Sequence, residues 1–150
     1  MDRVAVALGS NLGDRRAHLD YAVASLRTLL RTLTVSSYYD TFPVGVVGPH
    51  PRYLNAAAVG ETVLPARVLL EALQGIEHAR GRVRPHPNAP RTLDLDLILY
   101  GGAVIDEPGL AVPHPRFRER RFVLEPLAEI APDLRDPVTG KTVAELLAAL

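Results

Sequence analysis

The segment Leu93-Asp94-Leu95-Asp96-Leu97-Ile98-Leu99 restricts the possible folds of this chain more than any other. Leucine alternates with aspartate at its start, and a period of two is the signature of a strand rather than a helix. On a strand, Leu93, Leu95, Leu97 and Leu99 share one face and demand an apolar layer against it. Asp94 and Asp96 share the other, roughly 6.5 to 7 Å apart along the backbone. Two carboxylates so placed repel one another unless cations or basic side chains sit between them. Hard oxygen donors in a chain with no Cys favour Mg²⁺ over zinc, and the spacing can serve two ions roughly 3.5 to 4 Å apart. The alternation alone does not separate such a site from an acidic strand face turned to solvent.

The remaining pattern supplies the covering layer. Val4 to Leu8 predicts a buried strand ended by the turn signal Gly9-Ser10-Asn11. Asp14 predicts the cap of a helix with apolar positions Leu19, Ala22, Val23, Leu26, Leu29, Leu30 and Leu33. A second strand is expected over Thr34 to Thr41, and a third over Tyr53 to Val63. Between them Phe42 to Arg52 carries three prolines and two glycines, a loop long enough to suggest a binding role. Pro65 opens a helix carrying Leu69, Leu70, Leu73 and Ile76 inward. Gly81 to Arg91 is a second Pro-rich loop, leading into the strand Leu93 to Tyr100. A loop through Pro108 and Pro113, a short helix from Val123 to Ile130, and a terminal helix with a Thr142/Glu145 capping box complete the chain. The order, roughly βαββαβ followed by helices, predicts one α+β domain over residues 1–150, a single sheet covered by helices.

Charge narrows the chemistry. The chain has 150 residues, with 17 basic and 17 acidic side chains and a formal net charge of zero. That excludes a bulk polyelectrolyte binder with a wholly basic surface. Within the balance, 16 of the basic residues are Arg and one is Lys141. Codon bias accounts for some of them, but guanidinium groups also hold phosphates bidentately. Arg80, Arg82, Arg84 and Arg91 cluster on the loop before the aspartate strand; Arg116, Arg118, Arg120 and Arg121 form a second group. Arginines beside paired carboxylates suit a site for phosphate with Mg²⁺, where each sign neutralises part of the other. No apolar run approaches a membrane span, and Val4 to Leu8 is too short for a secretory core. The absence of Cys accords with a reducing cytoplasm, and a cytoplasmic location is expected.

Other candidates weigh less. Tyr53 and Asn55 share a strand face and could stack and edge-bond a planar heterocycle, though half-buried sheet residues read the same way. Gln74 and Glu77 share a helix face and could meet a nucleotide or serve as ordinary surface polars. Gly9 to Gly13 lacks the Lys and spacing of a P-loop, so a structural turn is expected. His50, His86 and His114 lie between prolines, without helical ligand spacing, which argues against a metal triad. No Gly-x-Ser-x-Gly element and no Cys nucleophile is present, which argues against acyl transfer.

Taken together, Pro90-Arg91-Thr92-Leu93-Asp94-Leu95-Asp96, Gly81-Arg82-Val83-Arg84 and Pro113-His114-Pro115-Arg116 resemble the 6-hydroxymethyl-7,8-dihydropterin pyrophosphokinases of folate biosynthesis. The likeness extends to Gly9-Ser10-Asn11, Thr41-Phe42-Pro43-Val44-Gly45, Tyr53-Leu54-Asn55 and Arg120-Arg121-Phe122-Val123-Leu124. It implies a ferredoxin-like, mainly antiparallel α+β fold and transfer of pyrophosphate from ATP to the pterin hydroxymethyl group, releasing AMP. By motif position, Asp94 and Asp96 would hold two Mg²⁺ ions, and Arg82 and Arg91 would join them in catalysis. ATP would meet Gln74, Glu77, Arg82, Arg84, Arg91 and His114, with backbone around Leu97, Leu110 and Arg118 taking ribose and adenine. Tyr53 and Phe122 would sandwich the pterin while Asn55 reads its edge, helped by Thr41, Pro43 and Val44, with Arg120 near the transferring group. The two Pro-rich loops would act as lids. The partners so implied are small molecules, with neither nucleic acid nor membrane, and a monomer is expected.

The chain departs from the family pattern twice. Asn88-Ala89 stands where some members carry an aromatic-Gly pair, and Gly109-Leu110-Ala111 lacks basic and hydroxyl side chains offered there by others. Nucleotide binding is then expected to lean on backbone contacts and the remaining arginines. A catalytically inactive pterin or nucleotide binder would share the fold, but the aspartates and His114 are intact. An RNA-binding module of similar fold would need a basic, aromatic sheet face, whereas the chain has three Phe and five Tyr and the carboxylate pair would repel a phosphate backbone.

Overall fold

A computed structural model describes residues 1–41, 52–81 and 92–150. Strand β1 (Asp2–Ser10) is the hub, because its residues from Val4 to Ser10 are apolar or small enough to be covered on both sides. It pairs antiparallel with β4 (Tyr53–Thr62) on one side and with β5 (Asp94–Tyr100) on the other. Strand β2 (Arg31–Val35) adds to the far edge of β4, and β3 (Tyr39–Thr41) pairs with the start of β4. The order β2-β4-β1-β5, antiparallel throughout, is that of the ferredoxin-like βαββαβ fold, with α1 (Arg15–Leu29) and α2 (Ala66–Ala79) as its two crossovers.

The sheet's two faces are packed differently. On one, Val4, Val6, Leu8, Leu54, Ala56, Ala58, Leu95 and Leu97 meet Leu19, Ala22 and Leu26 of α1 and Ala66, Leu69 and Leu73 of α2. On the other, Ala5, Ala57, Val59 and Ile98 lie under Phe117, α3 (Arg121–Ile130) and α4 (Val143–Ala148). That second layer covers only one end of its face. Alanines in β1 and β4 let its helices sit close to the strands.

Local chemistry explains most boundaries. Asp14 accepts the Ala17 N–H at 3.1 Å and starts α1, while Thr142 and Glu145 form both bonds of the capping box at α4. Helix α1 ends at Leu29, so Leu30 and Leu33, expected on its apolar stripe, belong to the cap and to β2. The strand expected over Thr34 to Thr41 is two strands. Between them Ser36 turns back on Ala57, donating its N–H to the Ala57 carbonyl and accepting the Ala57 N–H on its hydroxyl, both at 2.9 Å. Strand β1 runs through Gly9 and Ser10, where a turn was expected. The stretch expected as a loop through Pro108 and Pro113 contains a hairpin, β6 (Ile105–Glu107) and β7 (Leu110–Val112). Gly109 turns it at φ 78°, in the left-handed region that favours glycine. A short 3₁₀ turn, Phe117–Glu119, precedes α3 and places Phe117 in the core.

Candidate active site

Pairing register brings the candidate side chains together. Gly9 stands opposite both Asp94 and Asn55, and Ala7 opposite both Asp96 and Ala57. Asn55 in turn faces Tyr39, and Tyr53 faces Thr41. Directly opposed residues of an antiparallel pair share a face. Asp94 and Asp96 therefore lie on the same sheet face as Tyr53, Asn55 and Thr41, with Gly9 and Ala7 as the floor between them. This is the end of the face that α3 and α4 leave uncovered.

Gly9 keeps that floor clear for Asn55. A Cβ on it would stand 3.1 Å from Asn55 Oδ1 and 3.8 Å from the Tyr53 ring. Asn55 is itself buried and donates Nδ2 to the Thr41 hydroxyl at 2.5 Å. With the amide nitrogen committed to Thr41, the oxygen is left on the Gly9 side as an acceptor for a ligand's N–H. Tyr39, beyond Asn55, donates its hydroxyl to Glu129 of α3 at 2.6 Å, and Glu129 also accepts the Ser37 N–H at 3.0 Å. The Tyr39 hydrogen bond is the main cause holding the Glu129 carboxyl below the ordinary range, while the same bond drives the Tyr39 phenol up to about 12. Strand β3 is thereby fastened to α3, and Thr41 is held where it can orient Asn55.

On the β5 side, Asp94 and Asp96 are half-buried while Leu93, Leu95 and Leu97 are buried, the alternation expected from sequence. Leu99, expected on the same face as these leucines, packs instead with Ala5 and Phe117 on the opposite one, because the β1–β5 register shifts between Leu97 and Leu99. Glu77, buried on α2, accepts the Leu95 N–H at 2.8 Å. Its carboxylate thus fixes the backbone midway between the two aspartates. Beside them a cleft of about 310 Å³ is lined by Asp96, Leu97, Leu110, His114 and Leu70 among others. Gln74 is exposed one turn beyond Leu70 on the same side of α2. Arg67 donates to Glu107 at 3.0 Å and to the Pro108 carbonyl at 3.1 Å, tying the hairpin wall of the cleft to α2.

His114 is placed by its own N–H, which donates to the Ile98 carbonyl at 2.9 Å. Its Nδ1 accepts the Arg116 N–H at 3.3 Å, so the neutral ring carries its proton on Nε2. Burial pushes its pKa down; Asp96 opposes this, and Arg120 and Arg116 add to it. Asp96, His114 and Arg120 thus form one electrostatic group.

The second arginine cluster divides by partner. Arg116 pairs with Glu119 at 3.0 Å, Arg121 with Glu125 at 3.9 Å, and Arg118 bidentately with the fully buried Asp136. Arg118, expected near ATP through its backbone, has its guanidinium committed to the junction of α3 and α4. Arg120 is the one of the four without a carboxylate ion pair among the described residues; it lies over the Phe122 ring at 5.5 Å. Of the first cluster, Arg80 donates to His18 Nδ1 at 2.9 Å and stacks over Tyr21. Pro43, Val44, Arg82, Arg84 and Arg91, with both expected lids except their end residues Arg52 and Gly81 and with His50 and His86, lie outside the described residues.

Sequence reasoning missed Gly9 as a steric floor, Tyr39 and Glu129 as an anchor, and the Glu77 bond to Leu95. The alternation of small residues in β1 was a signal for the first. The other two join residues far apart in the chain, and no local pattern announces them.

Comparison with known proteins gives the same architecture a lineage. Residues 5–132 match the family described as 7,8-dihydro-6-hydroxymethylpterin-pyrophosphokinase (HPPK). A 2-amino-4-hydroxy-6-hydroxymethyldihydropteridine pyrophosphokinase of Pseudomonas aeruginosa is 46% identical, the match covering 99% of this chain and 92% of that protein. One of the same name from Methylorubrum extorquens is 44% identical over 100% of this chain and 94% of its own. Among solved structures, the wild-type HPPK-DHPS of Plasmodium falciparum superposes with a TM-score of 0.77 at 14% identity. It covers 99% of this chain, which spans 44% of that longer one.

Proposed function

The chain belongs to the 7,8-dihydro-6-hydroxymethylpterin-pyrophosphokinase family, and we propose that it transfers pyrophosphate from ATP to the hydroxymethyl group of 6-hydroxymethyl-7,8-dihydropterin, releasing AMP, in folate biosynthesis. One observation carries this reading above the rest. The register that places Asp94 across Gly9 from Asn55, and Asp96 across Ala7 from Ala57, sets a carboxylate pair beside an edge-reading amide on one half-face. Such a face can hold a charged phosphate chain and a planar heterocycle side by side.

The donor set fits Mg²⁺. Two half-buried carboxylates supply hard oxygens, and no group of three or more candidate ligands stands among the described residues. A pair of that kind leaves coordination positions for phosphate oxygens and water, as Mg²⁺ sites on nucleotides do. Asp94 and Asp96 would hold two such ions, and these would supply neutralisation of the phosphate charge.

The chain's own groups do the rest. Tyr53 and Phe122 enclose the pterin ring, and Asn55 Oδ1 accepts from its edge while Thr41 keeps the amide from turning. ATP occupies the cleft along β5, with Leu97 and Leu110 against its nucleoside and Gln74 and Glu77 on the α2 side. His114 donates Nε2–H to a phosphate oxygen, and Arg120 offsets charge on the transferring group. Arg82, Arg84 and Arg91 are assigned to the phosphates on the same grounds of charge. The hydroxymethyl oxygen attacks the β-phosphorus in line; the bond from Pβ to the oxygen bridging Pα breaks, and AMP leaves with that oxygen. Asp96 takes the hydroxyl proton. Residues 1–150 would act as one domain, as a monomer in the cytoplasm; no described helix is long and apolar enough to cross a membrane.

The test is direct. Purified protein with ATP, Mg²⁺ and the pterin should yield AMP and pterin diphosphate in equal amounts. Folded protein that binds both substrates and forms no AMP would instead be an inactive binder of the same fold.

A further inference from the structure

Arg15 occupies an unfavourable place for a cation. It is the first residue of α1, where the helix dipole presents its positive end; the N-cap Asp14 beside it is acidic, but its Oδ1 accepts the Ala17 N–H. A positive charge there opposes the dipole, and the guanidinium is directed to partners elsewhere. The side chain shows where. Its Nη1 donates to Asp40 Oδ1 at 2.9 Å and to the carbonyl oxygen of Arg52, also at 2.9 Å. The bond to Arg15 is the main cause holding the Asp40 carboxyl below its ordinary range.

These two partners flank the pterin side of the site in the chain. Asp40 precedes Thr41 on β3, and Arg52 precedes Tyr53 on β4. Asp40 pairs with Leu54, whose side chain packs into the core under α1, whereas Thr41 and Tyr53 project from the opposite face beside Asn55. Arg15 therefore reaches from the sealed side of the sheet and holds two strands whose neighbouring residues face the ligand. One nitrogen, using both of its protons, fixes the spacing of the β3 and β4 ends.

We propose that Arg15 is a positioning residue for pterin binding, acting through Asp40 and the Arg52 carbonyl to set the separation of Thr41 and Tyr53. The inference rests on the pyrophosphokinase reading above. The Arg15 and Asp40 side chains are 30% and 47% exposed. An ion pair of that exposure contributes little to stability, so its loss should act on the ligand and leave the fold standing.

The experiment measures the affinity of wild type, Arg15→Ala, Arg15→Lys, Asp40→Ala, the Arg15→Ala/Asp40→Ala double variant and Asn55→Ala. Calorimetry reads 6-hydroxymethyl-7,8-dihydropterin in saturating Mg²⁺-α,β-methylene-ATP, and separately the nucleotide alone; thermal midpoints are recorded for all. For Arg15→Ala the pterin Kd should rise about 5- to 20-fold, on the order of 1–2 kcal/mol, with nucleotide affinity within about twofold. Arg15→Lys should recover part of the loss, and the double variant should be little worse than either single one. The inference is overturned if Arg15→Ala leaves pterin affinity unchanged, weakens both ligands equally, or adds fully to Asp40→Ala. Wild type that binds no pterin, or Asn55→Ala that binds it normally, overturns the underlying reading instead.

Discussion

The two faces of one sheet differ in what covers them. The face under α1 and α2 is closed along its length by leucine on leucine, from Leu8 and Leu95 to Leu19, Leu69 and Leu73. The other is closed where α3 and α4 lie on Ala5, Ala57 and Ile98, and its Asp94 and Asp96, outside that cluster, stay half-buried. Because side chains alternate along a strand, β5 serves both: Leu95 and Leu97 secure the fold under α1 and α2 while Asp94 and Asp96 face the candidate site. Stability and chemistry are separated by a single-residue step, not by distance.

That separation can be broken or sharpened by substitution. The largest effect should come from the open face. Asp96→Ala is expected to lower turnover at least about 10³-fold, roughly 4 kcal/mol in the barrier, with an unchanged thermal midpoint; AMP release near the wild-type rate would refute the metal and proton assignment. On the closed face, Leu69→Ala removes a fully buried side chain and should cost about 2–5 kcal/mol of stability. Turnover per folded molecule should survive, as denaturation and kinetics on the same samples would reveal.

The half-cover over the open face depends on Asp136. Burial resists its ionisation, but Arg118, the Thr139 hydroxyl and the Val138 N–H outweigh that and bring its pKa from 3.8 to about 2. A carboxyl whose pKa is lowered by folding stabilises the folded state while it is ionised. Its contribution is therefore complete above pH 3.8 and is lost as pH falls from there through about 2. Asp136→Asn should cost about 1–3 kcal/mol at neutral pH and flatten the acid limb of stability; a limb identical to wild type would contradict the assignment. Smallest is Gly9→Ala, whose methyl must shift Asn55 Oδ1 from 3.1 Å. Pterin Kd should rise roughly 3- to 10-fold, about 1 kcal/mol, with ATP affinity unchanged. Equal weakening of both ligands would mean that the floor is not specific to the heterocycle.

Much of this was legible in the sequence where the signal is periodic. The Leu-Asp alternation located β5 and its two faces as far as Leu97, Pro65 the start of α2, and Thr142 with Glu145 the start of α4. Misreadings arose where local pattern and tertiary pairing disagree. Leu33 continues a helical spacing but pairs into β2, because Leu30 leaves the helix in extended conformation. β6 and β7 are three residues each and stabilise one another across Gly109, too short to show a period. At the candidate site, residue types singled out Asp94, Asp96 and Asn55 as candidates, whereas Glu77 acting on Leu95, or Arg15 on Arg52, depends on contacts between distant positions.

The Glu77 contact has a consequence for solubility. Strand β5 ends the sheet, and an outer strand with unpaired N–H groups invites a second chain to add to it. It cannot be plugged by a further strand of its own without closing the cleft lined by Asp96, Leu97 and His114. A carboxylate from α2 occupies the Leu95 N–H, and the Ile98 carbonyl farther along is taken by His114. The margin of the sheet is thereby dulled at separate points by side chain and loop, leaving it accessible to a small molecule and a poor template for aggregation.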